Sequence, residues 1–202
     1  MNVGVLASGT GSNLQALIDR AHGREGVVLT GVGSDKPGAQ ALERARAAGI
    51  DTRVFPSEAF ADRVARDAEV VEWLRAQGVE LVVLAGYMQL VSDAFLAAFP
   101  GRVINVHPSL LPAFPGLGAV QQALDYGARV FGVTVFFVDG GVDTGPIIFQ
   151  RAVELPDATR ADAVLEVLHP IEHDLLVDAV QLIARGAVQF DPANPRRVVI
   201  SR

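Results

Sequence analysis

Two short blocks of this chain hold residue types suited to chemistry at a carbonyl. Asn105 and His107 stand two apart in Asn105-Val106-His107-Pro108, and Asp143 stands in the glycine-rich run Asp139-Gly140-Gly141-Val142-Asp143-Thr144-Gly145-Pro146. Pro108 biases His107 toward extended backbone. On an extended chain residues i and i+2 point to the same side, so an amide and an imidazole converge. A carboxylate that meets the imidazole can hold it protonated or orient it. Amide and imidazolium donors suit the oxyanion of a tetrahedral intermediate. Imidazole and carboxylate suit proton transfer from a nucleophile to a leaving group.

A second block suits an anion. Ser8-Gly9-Thr10-Gly11-Ser12-Asn13 follows an apolar run and precedes a helical pattern. Glycines permit a tight turn, and main-chain N–H groups at a helix start attract phosphate. The rival reading is a dinucleotide site, with Asp35 as the ribose-binding acid. It requires a third glycine where Leu14 stands. A P-loop requires Gly-Lys-Ser/Thr, which is absent from the sequence. His169 and His173 are spaced i, i+4, but no HExxH accompanies them and Pro170 lies between, so no metal site is expected.

Composition narrows the classes. The 202 residues contain no cysteine, a formal charge of −6, and 50% hydrophobic residues. A thiolate nucleophile, disulfides and Cys-ligated metals are excluded. The acidic balance speaks against a nucleic-acid or anionic-membrane partner. One lysine, Lys36, stands against sixteen arginines, and there are four histidines: His22, His107, His169 and His173. No secretory pattern and no apolar run of about 20 residues is visible, so a cytoplasmic protein is expected.

These residues need elements to position them. Apolar runs at 3–7, 27–32, 51–55, 81–85 and 103–106 alternate with helical patterns at 13–21, 38–48 and 58–77. That alternation indicates an α/β chain with a mostly parallel sheet flanked by helices. Runs at 131–138 and 146–155 lack a helix between them and predict an antiparallel addition. A last helix begins near Thr159 and ends before Gly186, with a kink or break expected at Pro170. Charges over 58–75 read as the solvated face of an amphipathic helix. Trp73, Phe95 and Phe99 read as core.

The motifs SGTGSN (8–13), AGYM (85–88), NVHPSLLP (105–112) and DTGP (143–146) resemble, in order and spacing, the phosphoribosylglycinamide formyltransferase family of folate-dependent formyltransferases. The resemblance implies a Rossmann-like single domain over 1–202. Residues 1–100 would form a nucleotide-phosphate half, 101–190 a folate-binding and catalytic half, and 191–202 a peripheral tail. It implies formyl transfer from 10-formyltetrahydrofolate, as cosubstrate and without metal, to the amine of glycinamide ribonucleotide. Asn105, His107 and Asp143 would be catalytic. Gly11, Ser12 and Asn13 would hold phosphate, and Glu172 ribose hydroxyls. Arg63, Met88, Gln89, Leu90, Val91, Val138 and Gly140 would form the folate site, partly through main-chain groups. The resemblance leaves room for a homodimer. The family usually has arginine at Gln89, histidine at Val120, Phe136 and in some members Gly118, and an aromatic residue at Leu176. Alternatives are a hydrolase or sugar-nucleotide formyltransferase using the same folate, a weakly active paralogue, and a non-catalytic nucleotide-binding module.

Overall fold

The computed structural model describes residues 1–201, and Arg202, the last residue of the expected tail, lies outside them. Two compact units follow one another along the chain, the first spanning Met1–Asn105 and the second beginning at Val106.

The first unit holds β1 (Asn2–Leu6), α1 (Ser12–Arg20), β2 (Val28–Ser34), α2 (Gln40–Ala47), β3 (Asp51–Val54), α3 (Arg63–Ala76), β4 (Leu81–Leu84), α4 (Asp93–Ala98) and the start of β5 (Val103–His107). Its strands lie in the order β3-β2-β1-β4-β5 and every pairing is parallel. Helices on both faces explain why β1 and β4 are near-continuous apolar runs. Val3, Val5, Leu81, Val82 and Val83 are fully buried. The helix expected over 58–77 is shorter. Ser57–Ala59 form a 3-10 turn, and α3 starts only after Asp62, whose carboxylate caps it by accepting from the N–H of Ala65 at 2.8 Å. Trp73, Phe95 and Phe99 are buried, as expected.

In the second unit come α5 (Ala119–Tyr126), β6 (Val130–Phe137), β7 (Ile147–Glu154), α6 (Ala161–Ala184), β8 (Val188–Asp191) and β9 (Asn194–Ile200). β6 and β7 pair antiparallel, the predicted addition. α6 covers this pair, burying Val164, Leu168, Leu175, Leu176 and Val180. One expectation is corrected: of the kink or break expected at Pro170, the break does not occur, and α6 runs continuously through it. Proline removes one i→i−4 bond, but both Pro170 and Glu166, whose carbonyl loses it, are exposed, so water can satisfy the carbonyl. The stretch expected as a peripheral tail contains a strand: Asn194–Ile200 form β9, largely exposed near the sheet edge, which pairs antiparallel with β8 and joins β7 where Arg197 faces Ile147.

Candidate active site

β5 ends at His107, which is 6% exposed, and carries half-buried Asn105 two residues earlier. The His107 Nε2–H donates to the carbonyl of Phe114 at 2.9 Å. The other ring nitrogen, Nδ1, lies 3.4 Å from Oδ2 of Asp143. Both nitrogens therefore face oxygen acceptors. Asp143 Oδ2 also accepts from the N–H of Gly116 at 2.7 Å.

Both partners of His107 are held at a conformational cost. Only three described non-glycine residues have left-handed backbone: Glu25, Phe114 (φ 52°) and Asp143 (φ 53°). Such backbone persists only where surrounding contacts impose it, and it concentrates at functional sites. The 107–116 loop is imposed by β6 and β7. Buried Thr134 donates to the carbonyl of Ser109 at 2.7 Å and accepts from the N–H of Leu111 at 3.1 Å. Gln150 donates to the Leu111 carbonyl at 2.8 Å. Ser109 closes the turn by donating to the Ala113 carbonyl at 2.6 Å. The 139–145 loop is imposed by its own side chains. Asp139 Oδ1 accepts from the Thr144 hydroxyl at 2.6 Å and from the Gly141 N–H at 3.1 Å. Gly145 packs so closely that a Cβ there would sit 1.7 Å from the Phe137 carbonyl oxygen.

In the first unit, residues 8–13 form a main-chain loop. Ser8 N–H donates to the Gly86 carbonyl, Ala41 N–H to that of Gly9, and Arg44 Nε to that of Thr10. Gly11 is the N-cap of α1 with φ 72°, and a Cβ on it would lie 2.8 Å from Ala41. No side chain caps this helix, an arrangement that leaves its amino end to attract an anion. Ser12 and Asn13 are its first two residues.

The segment 85–92 sits beside that loop: Met88 N–H donates to Ser8 Oγ at 2.8 Å. A buried polar chain fixes it. Gln89 donates to Asp35 at 2.9 Å and accepts from Arg66 at 2.7 Å, and Arg66 donates to the Leu90 carbonyl at 2.9 Å. Arg66 also pairs with Asp67 at 2.8 Å, and Asp67 accepts from the Ser92 N–H at 2.6 Å. Thus Arg66, overlooked in the sequence, is the arginine against this segment, whereas Arg63 is exposed at the first position of α3. Asp35, weighed for a ribose, here holds an amide. Burial raises the Tyr87 hydroxyl pKa to about 12; Arg66 opposes the shift, and Asp35 and Asp67 add to it. Met88 and Leu90 are more than half exposed.

The remaining candidates divide. Glu172 is buried on α6. Val138 is half-buried just after β6, and Gly140 is exposed in the Asp139 turn. Val120, Phe136 and Leu176, where the family carries polar or aromatic groups, are buried apolar residues, and Gly118 caps α5 with φ 71°. His22 accepts from the Leu29 N–H, and His169 stacks on His173 at 6.5 Å. Among the described residues no group of three or more His, Asp or Glu is placed to hold a metal ion. No described helix is long and apolar enough to cross a membrane.

A buried histidine at a strand end, fixed between a carbonyl and a carboxylate by two strained loops, is an arrangement chemically suited to group transfer at a carbonyl. The formyl transferase family profile matches residues 1–180. The chain belongs to the formyl transferase family. It is 42% identical over 170 residues to the phosphoribosylglycinamide formyltransferase of Bacillus subtilis (strain 168), a match covering 84% of this chain and 87% of that one. It is 43% identical over 194 residues to the trifunctional purine biosynthetic protein adenosine-3 of Drosophila melanogaster, covering 94% of this chain but 14% of that protein. The crystal structure of glycinamide ribonucleotide transformylase 1 from Symbiobacterium toebii matches with a TM-score of 0.94 at 45% identity, covering 100% of this chain and 94% of that one.

Proposed function

We propose that this protein transfers a formyl group from 10-formyltetrahydrofolate to the primary amine of glycinamide ribonucleotide, in de novo purine synthesis. The observation that carries the reading is the placement of His107 between Phe114 and Asp143. Nε2 is committed to the carbonyl. The 3.4 Å separation at Nδ1 is long for a hydrogen bond, so that proton is available to share with a substrate oxygen. The amine nitrogen bonds to the formyl carbon, and the His107 imidazolium and the Asn105 amide donate to the oxygen that gains charge. Asp143 accepts the proton leaving the amine. As the bond from carbon to the folate nitrogen breaks, a proton returns to that nitrogen, so the exchange balances.

The ribonucleotide phosphate binds at Gly11, Ser12 and Asn13, where the helix N-terminus favours an anion. Glu172 takes ribose hydroxyls. The folate ring lies on Met88, Gln89, Leu90 and Val91 with Val138 and Gly140, and Arg63 meets its acidic end. Exposed apolar Met88 and Leu90 suit a flat ring. On this reading the protein works in the cytoplasm on two small molecules, with no metal, nucleic acid or membrane partner. A homodimer is open to test by sedimentation.

A steady-state assay with both substrates tests the proposal. Formyl transfer that requires the amine supports it. Folate consumed without the amine points to a hydrolase, and no turnover to a non-catalytic nucleotide-binding module.

A further inference from the structure

The hairpin of β8 and β9 meets the Asp143 loop at three points. At the loop's amino-terminal stem, Phe190 of β8 packs on Phe137, the last residue of β6, with ring centroids 4.8 Å apart. At its carboxyl-terminal stem, Arg197 of β9 faces Ile147, the first residue of β7. At the crown, Arg196 Nη2 donates to the carbonyl of Thr144 at 2.5 Å. Thr144 immediately follows Asp143. Its hydroxyl is already tied to Asp139, and Arg196 holds its carbonyl as well.

Asp143 needs such support. Its backbone is left-handed at φ 53°, a region a non-glycine residue leaves unless its neighbours hold it. Its carboxylate must stay within reach of both His107 and the Gly116 N–H. The internal ties of the loop, from Asp139 to Thr144 and Gly141, close the turn on itself but do not anchor it to another element. Contacts made by the loop's own residues do: Asp143 on His107 and the Gly116 N–H, and Thr144 under Arg196. The hairpin, at residues 188–200, lies beyond the residues matched by the family profile.

We infer that Arg196 is a positioning residue for Asp143 and that the carboxyl-terminal hairpin is a clamp on the catalytic loop. The donor is a guanidinium, which makes the bond charge-assisted and stronger than one between neutral groups. The inference rests on the formyl-transfer reading for its catalytic consequence, but its geometric half can be measured without turnover.

The experiment compares the full-length wild type with Arg196→Ala, Arg196→Met and Arg196→Lys. Methionine keeps the aliphatic stem and removes the donor, which guards against an alanine variant that fails to fold. Loosening a catalytic group costs between about 10-fold and 10²-fold in kcat. That loss is expected in the alanine and methionine variants, with the ribonucleotide KM unchanged and activity largely restored by lysine. Amide hydrogen exchange supplies the second readout. The Gly116 N–H, which donates to Asp143, should lose protection in both variants while amides of β6, β7 and α6 keep theirs. Wild-type kcat with wild-type Gly116 protection overturns the inference, and so does a uniform loss of protection across the second unit. A wild type inactive in transfer defeats the proposed function instead, while Gly116 exchange still decides whether Arg196 holds the loop.

Discussion

The two glycine-bearing loops of this molecule, 8–13 and 139–145, are held in opposite ways. In the first, the loop's own groups are mostly main chain: carbonyls of Gly9 and Thr10, the N–H of Ser8, and a left-handed glycine wedged on Ala41. In the second, side chains do the holding: Asp139 with Thr144, Asp143 with Gly116, and Arg196 from another strand. A main-chain loop offers N–H groups to an anion and is indifferent to most side chains it carries. A side-chain loop places one carboxylate and fails when any tie is cut. The difference matches the tasks proposed for them, binding in one and proton transfer in the other.

The sharpest break of this contrast is at Asp143. Asp143→Asn keeps the shape and removes the charge, so kcat should fall by about 10²–10⁴-fold with ribonucleotide binding little changed. Calorimetric binding alongside rapid kinetics checks both halves, and an undiminished kcat removes Asp143 from the mechanism. In the other loop the fragile position is a glycine. Gly11→Val places a Cβ against Ala41 and forces a β-branched residue to φ 72°. It should cost about 1–3 kcal/mol of stability and raise the ribonucleotide KM well above any change in the folate KM. Ser12→Ala, which keeps the main-chain donors, should do far less. Equal rises in both KM values would move the phosphate elsewhere.

A smaller effect separates the catalytic loops from their support. Thr134 is fully buried and serves two main-chain groups of the 107–116 loop, at Ser109 and Leu111. Thr134→Val leaves both without that partner, which should cost about 1–3 kcal/mol in urea denaturation. The loss of kcat should be smaller than for Asp143→Asn. No loss of stability would mean that the loop is held without Thr134.

Legibility in the sequence follows the range of the interactions. The Asn105–His107 pair was readable because a strand period and a following proline are local constraints. The parallel sheet was readable because its strands are continuous apolar runs. Arg66 is hard to single out in the sequence, because a charge within an amphipathic helix reads as solvated. The signal was present: position 66 falls on the stripe of Val70, Trp73 and Leu74, all buried. The carboxyl-terminal hairpin has a weak local signal because β8 is only four residues long and β9 opens on Asn194, Pro195, Arg196 and Arg197, so period 2 is faint. Pro170 suggests a kink or break because local rules cannot tell on which side of a helix the lost bond will fall. The left-handed backbone of Phe114 has no local signal and is imposed by contacts from β6 and β7, whereas that of Asp143 combines a residue type that tolerates it with ties inside and outside its loop.

The mildest prediction concerns Tyr87, beside the main-chain loop through Gly86 and Met88. Its hydroxyl is raised from 10.0 to about 12, chiefly by burial, so the folded state keeps this proton after the unfolded chain has lost it. The folded state therefore binds more protons between pH 10 and 12, and stability must fall as pH rises through that window. Below pH 10 both states are protonated, and this contribution is constant. Above about 12 the loss is complete, at about 2–3 kcal/mol. Tyr87→Phe has no such proton, so its denaturation midpoint should decline less steeply than that of the wild type across the same window. With only two tyrosines in the chain, the tyrosinate absorbance is a direct check. One of the two should ionise late, and the late step should vanish in Tyr87→Phe. If both ionise together in the ordinary tyrosine range, the segment beside the phosphate loop is wetter than its packing implies, and the main-chain loop would owe its shape to Gly11 and α2 alone.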